Sequence, residues 1–370
     1  MGPAAARRLH GGTRGMVLII RSGQRVFLGA AVLAAGRGGI ARVARATARA
    51  LAQHGVDVSL LSLLDDAPIR IDGRASTTAR GSKVRFVGRS YAAALTHAAF
   101  LYDSIGIARA HARIPGFRRP YAVWIHGVEV WCPLPPDRMR ALRGADLVLV
   151  NSHYTLARVE ELHGPLPNAR VCWLATEEDA AAPVPAARAT GRPTVLMVGR
   201  VDRGTFYKGH QEVVAAWPAL ISTVPDARLV IVGDGTAMPD LHRLVRASPA
   251  RDAIEIKGFV PEAEMPGIWN GAHVFAMPSR GEGFGLVYAE AMRHGVPVIA
   301  SRQDAGQEIN LDGVTGYNVD LDRPGDLTDR LRLLLTSPDR LVAMGAAGRA
   351  RWQAHFRYGA FKDRFLEAIG

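Results

Sequence analysis

At 370 residues the chain exceeds a usual single domain, and its hydrophobic content of 48% is enough for two packed cores. The net charge of +12 reflects either a compositional bias toward Arg or an attraction to anionic partners, and no nucleic-acid-binding signature accompanies it, so we expect no RNA or DNA partner. The two cysteines, Cys132 and Cys172, are far apart and lack metal-ligand spacing, which predicts reduced, buried thiols in a cytoplasmic protein.

The N-terminus, residues 1–24, is predicted to be an extension in which the tract Met16–Ile20 could add an edge strand. The apolar run Val26–Ala35 resembles a signal-peptide core, but it is too short to span a bilayer, which needs about 20 residues. It continues directly into the glycine-rich segment 36–39. We therefore interpret Val26–Leu33 as the first β-strand of a folded domain.

Positive charge is concentrated before the first acidic residue, Asp57, where nine arginines and no carboxylate occur. In the helix predicted after Gly39, Arg42, Arg45 and Arg49 recur at three- and four-residue spacing and share one face. Two interpretations stay open. The face is either solvated, as a product of Arg-rich composition, or it docks an anionic membrane or a phosphate-linked lipid acceptor. The second would place the protein peripherally at the inner face of a membrane.

Short apolar runs alternate with helical periodicity in two successive series. In the first series, the strands that follow are predicted at Val56–Leu61, Val84–Val87, Ser104–Ile107, Ala122–Ile125 and Leu147–Val150, and the segment Arg170–Leu174 closes the series. In the second, they are predicted at Thr194–Val198, Arg228–Val232, Ile254–Ile256, His273–Met277, Val298–Ala300 and Tyr317–Val319. Residues 176–193 between the series are rich in Ala and Pro and are predicted to be a linker. The pattern predicts two doubly wound parallel-sheet α/β domains, 25–175 and 194–351, facing a cleft.

Two carboxylates, Glu282 and Glu290, lie in a segment that joins a predicted strand to a helix beginning near Gly285. In a parallel sheet this position is the carboxyl edge of the strands, where ligands bind. The glycines there leave backbone N–H groups bare at a helix N-terminus, and carboxylates accept strong hydrogen bonds from sugar and ribose hydroxyls. The segment is therefore a candidate sugar-nucleotide site.

A second candidate feature follows the strand that ends at Val198. Arg200 emerges at the carboxyl edge of this strand, and Lys208 precedes the next helix. A planar guanidinium and a point charge near a helix N-terminus suit a diphosphate.

These motifs, Glu-x7-Glu with Gly-Phe-Gly-Leu between and Arg200 with Lys208 upstream, resemble those of glycosyltransferase family 4. The resemblance covers about residues 25–370. It implies the GT-B fold, in which the last helix crosses back to the N-terminal domain. In this chain that helix would be Trp352–Ile369, in the segment 352–370. It also implies a retaining, metal-independent hexosyltransferase that needs no cofactor and uses a nucleotide diphosphate sugar, UDP- or GDP-linked, as co-substrate. The acceptor would be a hydroxyl of a glycan, a lipid-linked molecule or a small molecule.

The resemblance also implies roles for particular residues. Arg200 and Lys208 correspond to a pyrophosphate clamp, and Glu290 to the residue that holds the ribose. Glu282 and His126 would orient the sugar. The remaining donor-binding positions are backbone or apolar contacts at Gly39, Gly283, Phe284, Gly285, Leu286, Gly235 and Val260. The segments around Gly235 and Val260 are equally compatible with plain turns, and Glu129 is an alternative residue for binding the acceptor.

A competing hypothesis starts from the loop after the first strand. Gly36, Gly38 and Ala41 fit the dinucleotide-binding fingerprint, with Asp65 or Asp66 as the acid that would hold a ribose. This pattern would describe an NAD(P)-dependent oxidoreductase. The same glycines also resemble the first loop of the glycosyltransferase family, so the motif alone leaves both functions open. No metal site is predicted, because the one Asp-x-Asp, Asp320-Leu321-Asp322, accompanies no donor motif.

Overall fold

The computed structural model describes residues 19–115, 117–183 and 191–370, and of residues 205–207 the backbone alone. Two parallel sheets dominate this part of the chain, which confirms the predicted GT-B architecture of two doubly wound α/β domains. Both sheets are made of short, apolar, largely buried strands, as expected where helices cover both faces.

The first sheet has the strand order β5-β2-β1-β6-β7-β8-β9, with every neighbouring pair parallel. The order reverses between β1 and β6, and this switch point is where such sheets open a crevice for ligands. Its strands are β1 (Arg25–Ala30), β2 (Asp57–Ser62), β5 (Thr77–Thr78), β6 (Ala99–Tyr102), β7 (Tyr121–Ile125), β8 (Leu147–Val150) and β9 (Ala169–Val171). A small antiparallel hairpin, β3 (Arg70–Ile71) and β4 (Arg74–Ala75), lies outside the sheet.

The second sheet has the order β12-β11-β10-β13-β14-β15, again all parallel. Its switch point lies between β10 and β13, the strands that precede Arg200 and Glu282. The strands are β10 (Thr194–Val198), β11 (Arg228–Val232), β12 (Ile254–Gly258), β13 (Val274–Ala276), β14 (Val298–Ser301) and β15 (Gly316–Val319). All six were predicted within about two residues.

The described helices cover the faces of these sheets. They are α1 (Gly39–Gln53), α2 (Lys83–Ala94), α3 (Ile105–Ala108), α4 (Pro136–Arg143), α5 (His153–His163), α6 (His210–Ile221), α7 (Met238–Ala247), α8 (Met265–Asn270), α9 (Leu286–Arg293), α10 (Gly306–Ile309), α11 (Asp326–Leu335), α12 (Pro338–His355) and α13 (Tyr358–Ile369).

The C-terminal crossover consists of two helices rather than the one predicted. Helix α12 packs on α9 of the second domain, and α13 packs on the first domain. The indole of Trp124 on β7 stacks against Phe361 and Phe365 of α13, with ring centroids 6.2 and 6.4 Å apart. These buried aromatic contacts tie the two domains together through the end of the chain.

Two predicted strands in the first domain were wrong. Val84–Val87 belongs to α2, because Ser82 caps a helix there by accepting a hydrogen bond from the backbone N–H of Arg85. Ser104–Ile107 coincides with α3, and the strand is the fully buried run Ala99–Tyr102 just before it. Both predictions followed short runs with β-branched residues, and in the first of them the capping residue Ser82 was not weighed.

Three further expectations can be compared with the described residues. Residues 16–18 of the tract Met16–Ile20 lie outside them, and the backbone N–H of Ile20 donates to the carbonyl of Ile369 of α13 at 3.0 Å without forming a strand. Cys172 is buried as expected, and burial raises the pKa of its thiol to about 12. Cys132 is exposed, so the prediction that both thiols are buried was wrong. Within the described ranges, no helix is both long and apolar enough to cross a bilayer.

Candidate functional site

The carboxyl edges of the two sheets carry most of the predicted site residues. Strand β10 leads directly into Arg200, and β13 leads into the turn that contains Glu282. Across from them, β7 of the first domain leads into His126, and the loop after β1 leads into Gly39. The site therefore lies where the switch points of the two sheets meet.

Glu282 forms an ion pair with Lys208 inside the second domain. Lys208 ends a 3-10 helix, Arg203–Lys208, and its side chain runs past the backbone of Gly199 to reach the carboxylate. Both side chains are largely buried, at 15% and 13% exposure. An acid and a base that are far apart in the sequence thus meet at one point of the cleft.

The turn that holds Glu282 is fixed by a buried acid that the sequence analysis missed. Asp304 accepts hydrogen bonds from the backbone N–H of Glu282 at 2.9 Å and of Gly306 at 2.8 Å. Its burial raises the pKa of its carboxyl to about 7, although these hydrogen bonds act in the opposite direction.

Glu290 faces the opposite domain. It lies on α9, whose first turn follows Gly285 in the left-handed region, with φ +84°, where a side chain would also collide with the ring of Tyr288. Its carboxylate pairs with the guanidinium of Arg42 from α1. Arg42 also lies 3.6 Å from Glu177, and its side chain is 26% exposed. Burial lowers the pKa of Arg42, but Glu290 and Glu177 raise it by more, so the guanidinium stays charged.

His126 is held in a fixed orientation at the end of β7. Its Nε2 donates a hydrogen bond to the carbonyl oxygen of Asp103 at 2.7 Å, because a carbonyl oxygen can only accept. Nε2 is thus engaged, and Nδ1 is the ring nitrogen that remains for contact with a ligand. Its own carbonyl accepts from the Asn151 side chain at 2.7 Å. Its backbone N–H donates to Glu129 at 2.5 Å, so Glu129 shapes this loop.

The two domains touch at the Gly283 backbone. A side chain at Gly283 would place its Cβ 1.7 Å from the carbonyl oxygen of His126, so only glycine allows this approach. The carbonyl oxygen of Gly283 accepts from the hydroxyls of Ser152 and Thr155, at 2.6 and 3.1 Å, at the start of α5. The turn is therefore held by both domains.

A second contact between the domains involves Glu308 on α10. Its carboxylate accepts from the backbone N–H groups of His153 and Tyr154, each at 3.0 Å, and from the indole N–H of Trp173. The N-terminus of α5 is thus capped by a carboxylate from the other domain, a favourable arrangement with the helix dipole.

The remaining predicted residues lie around the same cleft, but each has its own separate contacts. The side chain of Arg200 is 68% exposed, and its guanidinium lies 3.6 Å from the carboxylate of Asp202. A Cβ at Gly39 would lie 3.7 Å from Leu286 across the cleft. The backbone of Gly235 packs against the loop after Arg200.

Two donor-binding candidates have partly structural environments. Phe284 is 2% exposed and packs edge-to-face on Phe356, so only its backbone could contact a ligand. Val260 is partly buried against the core and follows Phe259, which is 72% exposed.

The expectation of a free basic face on α1 was wrong. Arg45 makes a bidentate pair with Glu177, at 2.9 and 3.1 Å, and Arg49 lies over the ring of Tyr358 at 3.9 Å. The three arginines, including Arg42, pack against the chain between the domains and the C-terminal crossover. They cannot present a common surface to a membrane without breaking these contacts.

The acid proposed for the competing dinucleotide site is also engaged. Asp65 is buried and accepts from the backbone N–H groups of Leu33 and Ala34, at 2.8 and 3.3 Å. It therefore fixes the exit of β1 and is not available to a ribose, whereas the alternative acid, Asp66, is exposed.

Several residues of this site were not predicted from the sequence. Arg42 was assigned to a surface face, although its position one turn after Gly39 signalled proximity to the cleft. Asp103 and Asp304 each follow a buried strand by one to three residues, and this position is a usable signal for site residues at a carboxyl edge. Burial raises the pKa of Asp103 to about 7 as well.

Comparison with known proteins agrees with the geometry. Residues 192–337 match the family model of the group 1 glycosyl transferases. The chain is 35% identical over 278 residues to a GDP-mannose-dependent alpha-(1-6)-phosphatidylinositol monomannoside mannosyltransferase of Mycobacterium tuberculosis, covering 70% of this chain and 71% of that protein. A protein of the same description from Mycolicibacterium smegmatis is 36% identical over 258 residues, which are 64% and 66% of the two chains. The solved structure of sucrose-phosphate synthase from Thermosynechococcus elongatus superposes with a TM-score of 0.79 at 23% identity, covering 93% and 98% of the two chains.

Proposed function

Because this chain belongs to the group 1 glycosyl transferases, we propose that it moves a sugar from a nucleotide diphosphate sugar to a hydroxyl acceptor with retention of configuration. The observation that carries the proposal is the pairing of Glu282 with Lys208 and of Glu290 with Arg42 where the two sheet edges meet. The dinucleotide hypothesis finds no support, since the family is a different one and Asp65 is already engaged.

In this proposal the positive groups serve the leaving group. Negative charge grows on the diphosphate as the bond to the sugar breaks, and a preorganised cation stabilises that charge more than the ground state. Lys208 is buried and fixed by Glu282, which suits this role. The exposed Arg200 would close onto the diphosphate when the donor binds.

Glu290 would hold the ribose hydroxyls of the donor. In the structure its carboxylate is occupied by Arg42, so the donor has to displace or share that partner. The guanidinium would then remain on Glu177, which is 3.6 Å away. Arg42 thus couples donor binding to the contact between the domains.

The sugar would be oriented by His126, Glu282 and the amides of the turn at Gly283. No separate protein base is required, because an oxygen of the leaving phosphate accepts the acceptor proton on the same face. The bond from the anomeric carbon to the phosphate oxygen breaks, the bond to the acceptor oxygen forms, and the nucleotide diphosphate leaves.

The relatives guide the choice of substrates. The names of two relatives describe GDP-mannose-dependent enzymes that act on a phosphatidylinositol monomannoside. We infer a GDP-sugar as the first donor to test, ahead of a UDP-sugar, and a lipid-linked hydroxyl as the first acceptor.

We also propose that turnover needs no metal ion and no cofactor. The carboxylates of the Asp-x-Asp are engaged by other side chains. Asp322 accepts from Arg280 at 2.8 Å and Asp320 from Gln303 at 2.9 Å. Lys208 and Arg200 would supply the positive charge that a metal ion provides in other transferases.

A thermal-shift panel of GDP-, UDP- and ADP-sugars, with NAD(P)H as the comparison, tests the proposal. We expect one nucleotide-sugar class to raise the melting temperature, and turnover of that donor to persist in EDTA. A shift with NAD(P)H alone would contradict the proposed donor. Loss of turnover in EDTA, restored by a divalent ion, would overturn metal independence.

A further inference from the structure

A small cavity lies between α1, the hairpin of β3 and β4, and α13. Its volume is about 230 Å³, below the roughly 300–1,000 Å³ typical of sites for drug-sized ligands, so it suits a small molecule. None of its lining residues belongs to the donor site described above. Its charged and aromatic lining consists of Arg45, Arg49, Arg70, Asp72, Glu177 and Tyr358.

Two cations of this cavity keep donors that are not engaged. Among the described residues, the exposed side chain of Arg70 makes one hydrogen bond, to the carbonyl of Gly73 at 3.4 Å, and no ion pair. Arg49 donates to the carbonyl of Glu177 at 3.2 Å, but its Nε is buried and has no hydrogen-bond partner in the described part of the chain. The carboxylate of Asp72 is 3.6 Å from that nitrogen. A buried donor left in this state marks a position for a further acceptor.

The groups around the cavity are held in place by one network. The guanidinium of Arg49 lies 3.9 Å over the ring of Tyr358 on α13. The hydroxyl of Tyr358 donates to the side-chain oxygen of Gln53 at 3.2 Å, and the amide nitrogen of Gln53 donates to Asp72 at 3.2 Å. A cation and a carboxylate are therefore positioned side by side before any ligand enters.

This combination of charges selects a class of ligand. Guanidinium groups match the oxygens of a phosphate, which Arg49 and Arg70 can contact from α1 and from the hairpin. The carboxylate of Asp72 would repel a bare phosphate but accepts hydrogen bonds from hydroxyl groups. A small molecule that carries both a phosphate and hydroxyls satisfies both kinds of group.

The cavity is connected to the donor site through Glu177. The carboxylate of Glu177 pairs with Arg45, which lines the cavity, and lies 3.6 Å from Arg42. Arg42 in turn pairs with Glu290. An anion that draws Arg45 away from Glu177 leaves this carboxylate to Arg42. Arg42 is then held on Glu177, and Glu290 becomes free for the donor.

We propose that this cavity binds a phosphorylated sugar or polyol and that its occupation tightens the binding of the nucleotide-sugar donor. Binding in the cavity depends only on the residues that line it, whereas the effect on the donor rests on the proposed function. Because the coupling of two binding sites is reciprocal, the donor strengthens binding in the cavity by the same factor.

Calorimetry with glucose 6-phosphate as the probe tests the cavity. The wild type should bind it at least about tenfold more tightly than glucose or inorganic phosphate. Arg70→Ala should bind it about tenfold more weakly, because a charge-assisted contact is lost. The matched control is Arg74→Ala on the same hairpin, whose side chain pairs with Asp57 at 3.2 Å and does not line the cavity. It should bind like the wild type, and both variants should keep the wild-type melting temperature.

A second variant tests the contact with hydroxyls. Asp72 has a φ of +45°, a conformation that asparagine also tolerates, so Asp72→Asn preserves the hairpin. Without the negative charge, repulsion of a bare phosphate disappears. The preference for glucose 6-phosphate over inorganic phosphate should therefore fall at least about threefold. An unchanged preference would contradict the role of Asp72 and with it the sugar or polyol part of the ligand.

Titration of GDP with and without saturating glucose 6-phosphate tests the coupling. The probe should tighten GDP binding about two- to fivefold in the wild type, since an ion pair on Glu290 is released. Arg42→Ala should show no such effect, because that pair is already absent. Arg70→Ala should bind GDP like the wild type when the probe is absent.

Several results would overturn the proposal. Equal affinity of the wild type and Arg70→Ala for glucose 6-phosphate, no binding of this probe by the wild type, or its displacement by GDP would each exclude the cavity as its site. Binding of the probe without any change in GDP affinity would overturn the coupling. Absence of GDP binding by the wild type would count against the proposed donor and not against the cavity.

Discussion

The two glutamates at the cleft, Glu282 in the turn and Glu290 on α9, form ion pairs with cations from different domains. Glu282 pairs with Lys208, which belongs to the same domain. Glu290, only eight residues later, pairs with Arg42 of the other domain. The first pair can persist whatever the distance between the domains, whereas the second exists only while they are in contact.

This difference separates two tasks of a donor site. A cation built into the donor domain is in place before the donor arrives, and preorganised charge of this kind is what stabilises a transition state. A cation supplied across the cleft responds to domain contact and to whatever occupies Glu290. Under the proposed function, we therefore infer that the first pair serves the chemistry and that the second controls donor entry.

The largest expected effect comes from breaking the pair inside the donor domain. Lys208→Met keeps an unbranched side chain of similar length without the charge. It should lower kcat about 100- to 1,000-fold, equivalent to about 3–4 kcal/mol of transition-state stabilisation. Arg200→Ala should lower kcat less, about tenfold, because that side chain is 68% exposed.

Steady-state kinetics measure both effects, with Lys362→Ala on α13 as a lysine control. A wild-type kcat in the Lys208 variant would show that this side chain does not take part in the chemical step. A parallel fall in melting temperature would instead indicate that the pair supports the fold.

Removing Glu290 should affect binding more than chemistry. Under the proposed function, Glu290→Ala deletes a charge-assisted hydrogen bond to the ribose and should cost about 1.5–3 kcal/mol, or at least tenfold in donor affinity. Calorimetry with the nucleotide sugar measures this loss. Glu161→Ala, at a carboxylate that is 70% exposed, is the control and should bind like the wild type. An unchanged donor affinity in a folded Glu290→Ala protein would contradict the proposed role of Glu290 in holding the ribose.

The buried acid under Glu282 predicts a pH dependence of stability. The folded pKa of Asp304 is raised to about 7, above its ordinary value of 3.8, so between these values the folded state holds a proton that the unfolded chain releases. Its contribution to the free energy of unfolding is therefore fully present below about pH 4 and falls as the pH rises through 7.

Urea unfolding of wild type and Asp304→Asn at pH 5 and pH 8 checks this sign. The stability of the variant relative to the wild type should improve by about 2 kcal/mol between the two pH values, and any constant cost of the amide cancels in that difference. A difference that is the same at both pH values would show that Asp304 is already ionised at pH 5.

The smallest expected effect comes from releasing Glu290 from its partner. Arg42→Ala should tighten donor binding about two- to fivefold, because a partly exposed ion pair is worth about 0.5–1 kcal/mol and no longer has to be displaced. Arg25→Ala, at an exposed pair with Asp57, serves as the control. Weaker binding by Arg42→Ala would indicate that Arg42 contacts the donor.

The sequence predicted the second domain better than the first. Its strands, such as Arg228–Val232, are apolar runs between clear breaks, and the motifs at their ends fix the register. In the first domain, the β-branched residues at 84 and 87 indicated a strand, yet they lie on the solvent side of a capped helix. Local propensity gave no indication that the apolar residues would remain outside.

The partners of the site residues were harder to predict than the residues themselves. Glu282, Glu290 and Lys208 were found from motifs, and the structure brings Glu282 and Lys208 together. The pairing of Arg42 with Glu290 joins residues 248 positions apart in two domains, which no local pattern encodes. The burial of Asp304 likewise depends on how the loops pack, so its raised pKa could not be derived from the sequence.

A double-mutant cycle for binding of GDP tests the central claim most directly, namely that Arg42 competes with the donor for Glu290. Calorimetry would compare wild type, Arg42→Ala, Glu290→Ala and the double variant. The account predicts tighter binding for Arg42→Ala, binding at least tenfold weaker for Glu290→Ala, and a double variant that matches Glu290→Ala, because Arg42 then has no pair to break. Equal losses in the two single variants would contradict it and make Arg42 part of the donor site itself.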